Sequence, residues 1–528
     1  MNAVSQVPSS GTGVRTFERK ATGLVRAAGT VDVLIYNMNF VSIGLMGVLV
    51  FLFSTAFYPG ANLFVTALLT LAIVIPTSLV FSFFAAAMPR SGADYVYVSR
   101  TLHPALGMMS SWNNTAWWFM YGGVPSAFFA YYGVGPFFSV VGQRTGTHWM
   151  VTFGNWCVTP LGAFFVGSGL IIALVAILVV GLHLFFRLQN VLFLLGLLSV
   201  IMIAVVWLFQ SPGSFSHNFT AHTGQAFGAS LNHAATKAGF AEGGPFSLKW
   251  TLLAGTWIYI NLVFNQSSSY IGGEVRRASR LQLWSMPAAA FVTTAILIVL
   301  LALGNRIAGL QTMGKLAVVT QLPFSAIAAQ GVSSNLLAAL MLFGFIFFSY
   351  TWLPGQILNA SRNFLAYSVD GLMPRKLGEV HDRYHTPVYA LVLVGAGSIG
   401  ALWLYTHWSA FAALVGIFGF ILGFAIVSVA AMVFPYRLPD VFESSPVRWR
   451  LGRIPVMSIV GGLSFIALVI MGWAFWTDPS AGIVGQTPAK ILNFGIFASG
   501  LVIYFVAKAV QRRRGVDVSQ RFKEIPVE

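Results

Sequence analysis

Charged residues are scarce in this sequence. They make up 8% of the 528 residues, only 14 residues are carboxylates, and 57% of the chain is hydrophobic. A water-soluble domain could not cover its core with so few polar side chains, so the composition excludes that class and indicates a protein embedded in a lipid bilayer. The single cysteine, Cys157, excludes an intramolecular disulfide.

Catalytic patterns are also missing. The sequence contains neither a His-Glu-x-x-His nor an Asp-x-x-Asp motif, and carboxylates are nearly absent from its apolar runs. An intramembrane protease or transferase needs such a cluster of acid, base or metal-ligating groups. We therefore predict that the chain is not an enzyme and has no cofactor or metal site.

Long apolar runs are what the sequence has instead. A bilayer core about 30 Å thick takes roughly 20 helical residues to cross, and continuous hydrophobicity favours helices over a β-barrel. Twelve runs meet this length and are numbered here as spans one to twelve: 33–57, 62–87, 105–140, 160–182, 189–210, 249–271, 287–305, 333–361, 387–406, 408–434, 455–477 and 490–509.

The Lys and Arg residues are distributed unevenly among the connecting segments. With both termini on one side of the membrane, 24 of the 30 cations fall on that side. Cytoplasmic loops carry the excess of Lys and Arg, so this predicts a plasma (cell inner) membrane protein with both termini in the cytoplasm. Because the cations are explained by the orientation in the membrane, the net charge of +16 does not indicate a nucleic-acid partner.

The order of the spans suggests an internal repeat. Five spans precede the longest polar stretch and seven follow it, which allows a five-plus-five inverted repeat with discontinuous helices 1 and 6, plus two additional helices. The predicted all-α fold has these parts: a cytoplasmic N-terminal tail at 1–30, a first five-helix repeat at 31–210, an extracellular loop at 211–248, a second five-helix repeat at 249–434, helices 11 and 12 at 435–509, and a cytoplasmic C-terminal tail at 510–528.

Spans one and six both contain residues that weaken a helix near mid-membrane. Span one reads Asn-Met-Asn-Phe-Val-Ser-Ile-Gly-Leu-Met-Gly at 37–47, and span six has Asn261, Asn265, Gln266 and three serines. A broken helix exposes N–H and C=O groups that suit a carboxylate at one end and an ammonium group or cation at the other. Small residues also mediate close helix packing in membranes, so packing alone is the alternative.

Three segments that follow spans two, six and eight have recognisable motifs. Residues 88–100 read Met-Pro-Arg-Ser-Gly-Ala-Asp-Tyr-Val-Tyr-Val-Ser-Arg, residues 272–277 read Gly-Gly-Glu-Val-Arg-Arg, and Arg362 is followed by Asp-Gly-Leu-Met-Pro at 370–374. These resemble the Pro-Arg-Ser-Gly-Gly-x-Tyr-x-Tyr, Gly-Glu-Val-Lys-Asn-Pro and Arg-x(n)-Asp-Gly-x-x-Pro motifs of the amino acid/polyamine/organocation superfamily. Ala93 replaces the second glycine of the first motif, and the second motif lacks its Asn-Pro.

That resemblance implies a permease with a leucine-transporter-like fold, in which discontinuous first and sixth helices hold the substrate. Ile260 with Asn261, or Phe264 with Asn265, would lie at the sixth-helix break, because the segment before Glu274 is longer than usual. The substrate-binding residues implied by position are Ser42, Ile43, Gly44, Gly47, Trp118, Tyr121, Trp257, Ile260, Asn261, Phe264 and Asn265.

Charges near the helix ends are expected to form a cytoplasmic gate, because opposite-sign pairs among them could close the inward side. These residues are Arg90, Asp94, Glu274, Arg362 and Asp370. The alternative, which applies mainly to Arg90 and Arg362, is that they only set the orientation in the membrane. The coupling ion is expected to be a proton or sodium. Ser349 and Thr351 could supply oxygen ligands to sodium, although such hydroxyls more often bond within their own helical turn.

The absence of a central acid bears on the substrate. A polyamine would enter a low-dielectric site with no partner for its extra charge, which favours a neutral amino acid, apolar or aromatic. We therefore predict a secondary active transporter, a symporter of amino acids in the lipid bilayer. An exchanger, or a protein of the channel or sensor type, is the alternative. The oligomeric state stays open.

Overall fold

The computed structural model describes residues 24–412 and 416–523, so most of the predicted tail at 1–30 and the end of the tail at 510–528 lie outside it. In the described part, ten helical stretches are long and apolar enough to cross a membrane: Thr30–Ser54, Leu63–Ala87, Pro104–Thr145, Pro160–Val180, Leu182–Phe209, Ala278–Ile307, Val388–His407, Ile417–Arg437, Val456–Thr477 and Thr487–Arg513. Each overlaps a predicted span. The expectation of a multi-pass, all-α membrane protein is confirmed.

Spans six and eight are interrupted helices. Span six consists of Leu248–Ala254 and Thr256–Leu262, followed by 3-10 turns at Ser267–Tyr270 and Gly272–Glu274. Span eight consists of Asn335–Ile346 and Trp352–Val369, separated by irregular residues 347–351. The break in span eight was not predicted, because its sequence, Phe-Phe-Ser-Tyr-Thr, contains neither glycine nor proline.

Spans one and three also depart from regular helices. Span one runs through Thr30–Val41 and Ile43–Leu49 into a π-helical turn at Val50–Ser54. Span three has the parts Pro104–Tyr121, Val124–Phe128, a π-helical turn at Phe129–Val134, and Gly135–Thr145. Wide π turns within helices are frequent at functional sites.

Shorter elements connect the spans. They are the helices Ala93–Thr101, His148–Cys157, Pro212–Thr223, Ala229–Lys237, Leu310–Thr320, Phe324–Gln330, Ser409–Ala412 and Pro439–Ser444, the 3-10 turns Arg375–Gly378 and Val518–Lys523, and an antiparallel pair of strands, Arg450–Leu451 and Ile454–Pro455. The polar stretch at 211–248, expected as a loop, thus contains two helices. They form because Phe215, Phe219 and Leu231 are buried beneath a polar outer face.

The bundle has a densely packed interior and an apolar outer face. Span two packs along span seven, and span ten packs along span eleven. On the outside, Ile172 of span four and Leu194 of span five remain 60% and 55% exposed. Large exposed apolar side chains are what a lipid-facing surface requires.

Phe348, in the break of span eight, fills a space left by two glycines. A Cβ atom at Gly44 of span one would lie 2.5 Å from the Phe348 Cβ, and one at Gly196 of span five would lie 2.4 Å from its ring. Both distances are too short for real atoms, so the two glycines are needed for this packing.

We expect Gly44→Val to destabilise the fold by about 1–3 kcal/mol, because the added methyl groups overpack the Phe348 site. Thermal unfolding of the purified protein in detergent measures this. Gly169→Val is the matched control, since a Cβ there meets no atom within 4 Å. The double variant Gly44→Val with Phe348→Ala should lose less stability than the sum of the losses in the two single variants. Additive losses of stability would contradict the contact between the two residues.

Candidate functional site

The break in span one is stabilised from span eight. Ser42 has a left-handed backbone, φ 57°, and its hydroxyl oxygen accepts a hydrogen bond from the Leu45 N–H at 3.3 Å. Thr351 donates its hydroxyl to the Ser42 oxygen at 2.6 Å, whereas Ser349 donates to the Ile346 carbonyl in its own turn. Of the two predicted sodium ligands, Thr351 is the one that reaches span one.

Asn37 holds span one to the segment after the span-six break. Its side-chain oxygen accepts the Ser268 N–H at 2.8 Å, and its amide nitrogen donates to the Ser268 hydroxyl at 3.0 Å. Gln282 of span seven accepts from that hydroxyl at 2.6 Å and donates to the Ser268 carbonyl at 2.9 Å. These bonds satisfy polar groups that lipid could not.

The break in span six lies at residues 263–266, where the helix has ended at Leu262. Two positions were predicted for this break. The observed break includes Phe264 and Asn265 and lies beyond Ile260 and Asn261. The amide nitrogens of Asn261 and Asn265 donate to the Trp257 and Leu262 carbonyls at 2.9 and 2.7 Å. Among the described residues, no donor bonds to the buried side-chain oxygens of Asn261, Asn265 and Gln266.

A cavity of about 250 Å³ lies beside these breaks. Nine of its sixteen lining residues are aromatic, and none is charged. The lining consists of Leu49, Phe53, Tyr121, Val124, Phe128, Tyr132, Trp257, Ile260, Phe264, Trp352, Gln356, Tyr405, Gly416, Ile417, Phe420 and Ala481. Such a concave, mostly apolar space with few polar groups is the usual form of a small-molecule site.

Four of the predicted binding residues, Tyr121, Trp257, Ile260 and Phe264, line this cavity. The others do not: they are Ser42, Ile43, Gly44, Gly47, Trp118, Asn261 and Asn265. Gly44 and Gly47 face Phe348 and Phe324 instead, which favours packing as the reason for these glycines. Tyr405 of span nine and Phe420 of span ten also line the cavity. Neither lies in a recognisable motif, so neither was predicted from the sequence.

An aromatic layer forms one end of the cavity. The Phe264 ring stacks on Phe40 with centroids 4.9 Å apart, and it meets Phe420 edge-on at 5.1 Å. Trp118 lies behind this layer, with its ring 5.8 Å from Phe420 and 4.6 Å from Tyr270. Trp118 therefore connects the aromatic layer to Tyr270, which follows the span-six break.

Asp478 organises the other end of the cavity. This buried carboxylate, at the end of span eleven, accepts the Tyr58 hydroxyl at 2.8 Å and the Thr256 hydroxyl at 2.7 Å. Tyr58 in turn accepts the Trp257 indole N–H at 2.9 Å. The carboxylate thus joins the ends of spans one, six and eleven around the cavity-lining Trp257.

The three motif segments meet in one place, called here the motif cluster: residues 88–100, 270–277 and 361–374. The Gly92 N–H donates to the Tyr270 carbonyl at 3.1 Å. A Cβ at Gly92 would lie 2.6 Å from the Ala366 Cβ, and one at Gly272 would lie 2.8 Å from the Arg90 carbonyl oxygen. The glycines of these motifs permit the close approach of the three segments.

Two buried ion pairs lie in the motif cluster. Arg362 donates to both oxygens of Glu274, at 2.9 and 2.7 Å, with both residues 0% exposed. Arg100 donates to both oxygens of Asp370, at 2.7 and 3.0 Å. Arg100 was not predicted as part of the gate, because the motif pattern gives no sign that it pairs with the Asp-Gly segment.

The remaining two predicted gate residues have different surroundings. Arg90 donates to the Pro89 carbonyl at 3.2 Å. Asp94 accepts the Asn114 amide at 2.7 Å and the Tyr95 N–H at 3.0 Å. Burial raises the pKa of the Asp94 carboxyl to about 7.

Comparison with known families adds one finding. The family described as "Amino acid permease" matches residues 36–506 of this chain. The match includes the span breaks, the cavity residues and the motif cluster.

We expect Glu274→Gln to lower the thermal stability and the transport rate, because it leaves the Arg362 guanidinium buried without a counter-charge. Loss of one partner of a buried pair costs about 3–5 kcal/mol. Glu443→Gln is the matched control, since its pair with Arg450 is exposed and is worth less than about 1 kcal/mol. Equal thermal shifts for the two variants would contradict the role of the buried pair.

Proposed function

We propose, since the chain belongs to the amino acid permease family, that it is a secondary active transporter of neutral amino acids with apolar or aromatic side chains. Family membership and the ten apolar helices make it a membrane amino acid transporter. The finer assignment of substrate depends mainly on the cavity, whose lining is rich in aromatic rings and has no charged group. A charged side chain would lose its hydration there without gaining a counter-ion.

The helix breaks are the proposed sites for the substrate's charged groups. Backbone N–H groups after Ser42 would take the carboxylate, and the amide oxygens of Asn261, Asn265 and Gln266 would take the ammonium group. Two observations support this: Ser42 ends one helix and begins the next, and those three oxygens have no donor among the described residues. A zwitterion can thus be neutralised without a charged side chain.

The proposed architecture is twelve transmembrane helices, with a five-plus-five inverted repeat, the domain limits predicted above and both termini in the cytoplasm. Ten long apolar helical stretches and the shorter helices of spans six and eight overlap the twelve predicted spans, which supports this architecture. The excess of cations beside the motif cluster supports a cytoplasmic location for that cluster in the plasma membrane.

In this orientation, transport proceeds by alternating access of the binding site to the two sides of the membrane. The motif cluster acts as the cytoplasmic gate. Below the cavity, the way to the cytoplasm is blocked by the aromatic layer and then by the ion pairs of Arg362 and Arg100. A channel would need a continuous polar lining, and the aromatic layer interrupts any such path. Exchange remains the second candidate, because it uses the same site and gate.

A panel of amino acids tests the substrate class. We expect phenylalanine, leucine and similar amino acids to raise the melting temperature of the purified protein, because ligands bound to the folded state stabilise it. Lysine and glutamate should leave it unchanged. Shifts with lysine or glutamate alone would contradict the proposed class.

Filling the cavity tests its location. We expect Ile260→Trp to abolish the shift produced by phenylalanine, because the larger ring occupies the space beside Trp257 and Phe264. Ile172→Trp is the matched control, since Ile172 is 60% exposed on the outer face of span four. An undiminished shift in the Ile260 variant would show that the substrate binds elsewhere.

A further inference from the structure

Asp94 differs from the other acids of the motif cluster. It is 0% exposed and lies in the first turn of the short helix Ala93–Thr101, which begins after Gly92. Glu274 and Asp370 are each held by an arginine, whereas the described donors to Asp94 are neutral: the Asn114 amide and the Tyr95 N–H. A buried carboxyl without a cation exchanges a proton more readily than one in an ion pair.

The titratable groups that face Asp94 are phenols. Tyr270, from the segment after span six, and Tyr367, from span eight, both have charge interactions with this carboxyl. The Tyr270 hydroxyl also interacts with the side-chain amide of Asn114, which donates to Asp94. The Asp94 helix itself carries Tyr95, Tyr97 and Arg100. Other titratable or charged groups on elements packed against it are Tyr121, Arg362, Tyr436, Arg437 and Arg521.

The position of Asp94 connects the cavity to the gate. Its partner Asn114 belongs to span three, on the same helix as Trp118, which lies behind the aromatic layer. The Tyr270 ring touches Trp118 on one side, and its backbone carbonyl accepts a hydrogen bond from the Gly92 N–H on the other. Opening of the motif cluster must separate Tyr270 from the Asp94 helix and admit water to the carboxyl.

We propose that Asp94 carries the proton that drives uptake, binding it while the motif cluster is closed and releasing it to the cytoplasm when the cluster opens. This inference rests on the proposed function and orientation. The proton comes from external water while the cavity is open to the outside, joins the Asp94 carboxylate oxygen, and leaves to cytoplasmic water when the motif cluster opens, so no other reactant is needed. It assigns proton coupling, instead of sodium, to this chain.

The energetics follow from burial. In the closed cluster the pKa of Asp94 is raised to about 7 by desolvation, whereas a hydrated aspartate has a pKa of about 4. Opening therefore lowers the pKa and releases the proton at neutral cytoplasmic pH. The hydrogen bonds from Asn114 and Tyr95 stabilise the ionised form, so the empty carrier can also close without a proton.

Proteoliposomes loaded with the purified protein provide the test, with radiolabelled phenylalanine as the probe. Counterflow at equal pH measures exchange alone, and accumulation with an acidic exterior and alkaline lumen measures proton coupling. We expect the native protein to show both. Asp94→Asn should keep counterflow but lose accumulation, down to the level of empty liposomes. Asp440→Asn, at an exposed acid, should keep both.

The outcomes separate the two proposals. Counterflow without accumulation by the native protein, or accumulation by the Asp94→Asn variant, would overturn the proton assignment while leaving amino acid transport intact. Absence of phenylalanine counterflow by the native protein would overturn the proposed substrate class, and the coupling inference with it.

A second measurement needs no substrate. Because the folded-state pKa is raised, the folded protein binds more protons than the unfolded chain, and acidification from above to below about pH 7 should raise its melting temperature. We expect this rise to be smaller in Asp94→Asn than in the native protein and in Asp440→Asn. An identical rise in all three proteins would overturn the inference, even if the Asp94→Asn variant transports poorly.

Discussion

A helix that breaks inside a membrane leaves backbone groups that lipid cannot hydrogen-bond, and this constraint shapes the centre of the molecule. Three breaks, at Ser42, at residues 263–266 and at residues 347–351, are stabilised by side chains from other spans. Thr351 bonds to Ser42, and Asn37 bonds to Ser268. Polar side chains at the interruptions therefore supply hydrogen bonds that lipid cannot.

The cavity and the motif cluster also differ in how they accommodate charge. No charged side chain lines the cavity, so a zwitterionic ligand there must be met by backbone dipoles and neutral amides. In the motif cluster, full charges are tolerated because Arg362 and Arg100 each hold a carboxylate with two hydrogen bonds. Such pairs contribute little net stability but make partial opening unfavourable, since separated charges would be left buried. That behaviour suits a gate with two distinct positions.

Much of the fold could be predicted from the sequence, because hydrophobic length alone locates membrane helices. The break in span one was also foreseeable from its asparagines, serine and glycines. The break in span eight was not, since Phe348 is held there by space that Gly44 and Gly196 leave on other spans. For the candidate site, motif position indicated Trp257 and Phe264 but could not indicate Tyr405, which reaches the cavity only through tertiary packing.

The ion pairs of the motif cluster could not be predicted from the sequence either. Glu274 and Arg362 are 88 residues apart and Arg100 and Asp370 are 270 apart, so neither partner can be deduced from local spacing. Once both arginines are assigned, Asp94 is left as the acid with neutral donors, although its motif position resembles that of a gate charge. Asp94 therefore differs from Glu274 and Asp370 because the two arginines form ion pairs with those carboxylates and not with Asp94. A sequence motif can locate an acid at the gate, but the surrounding packing determines whether that acid forms an ion pair or exchanges a proton.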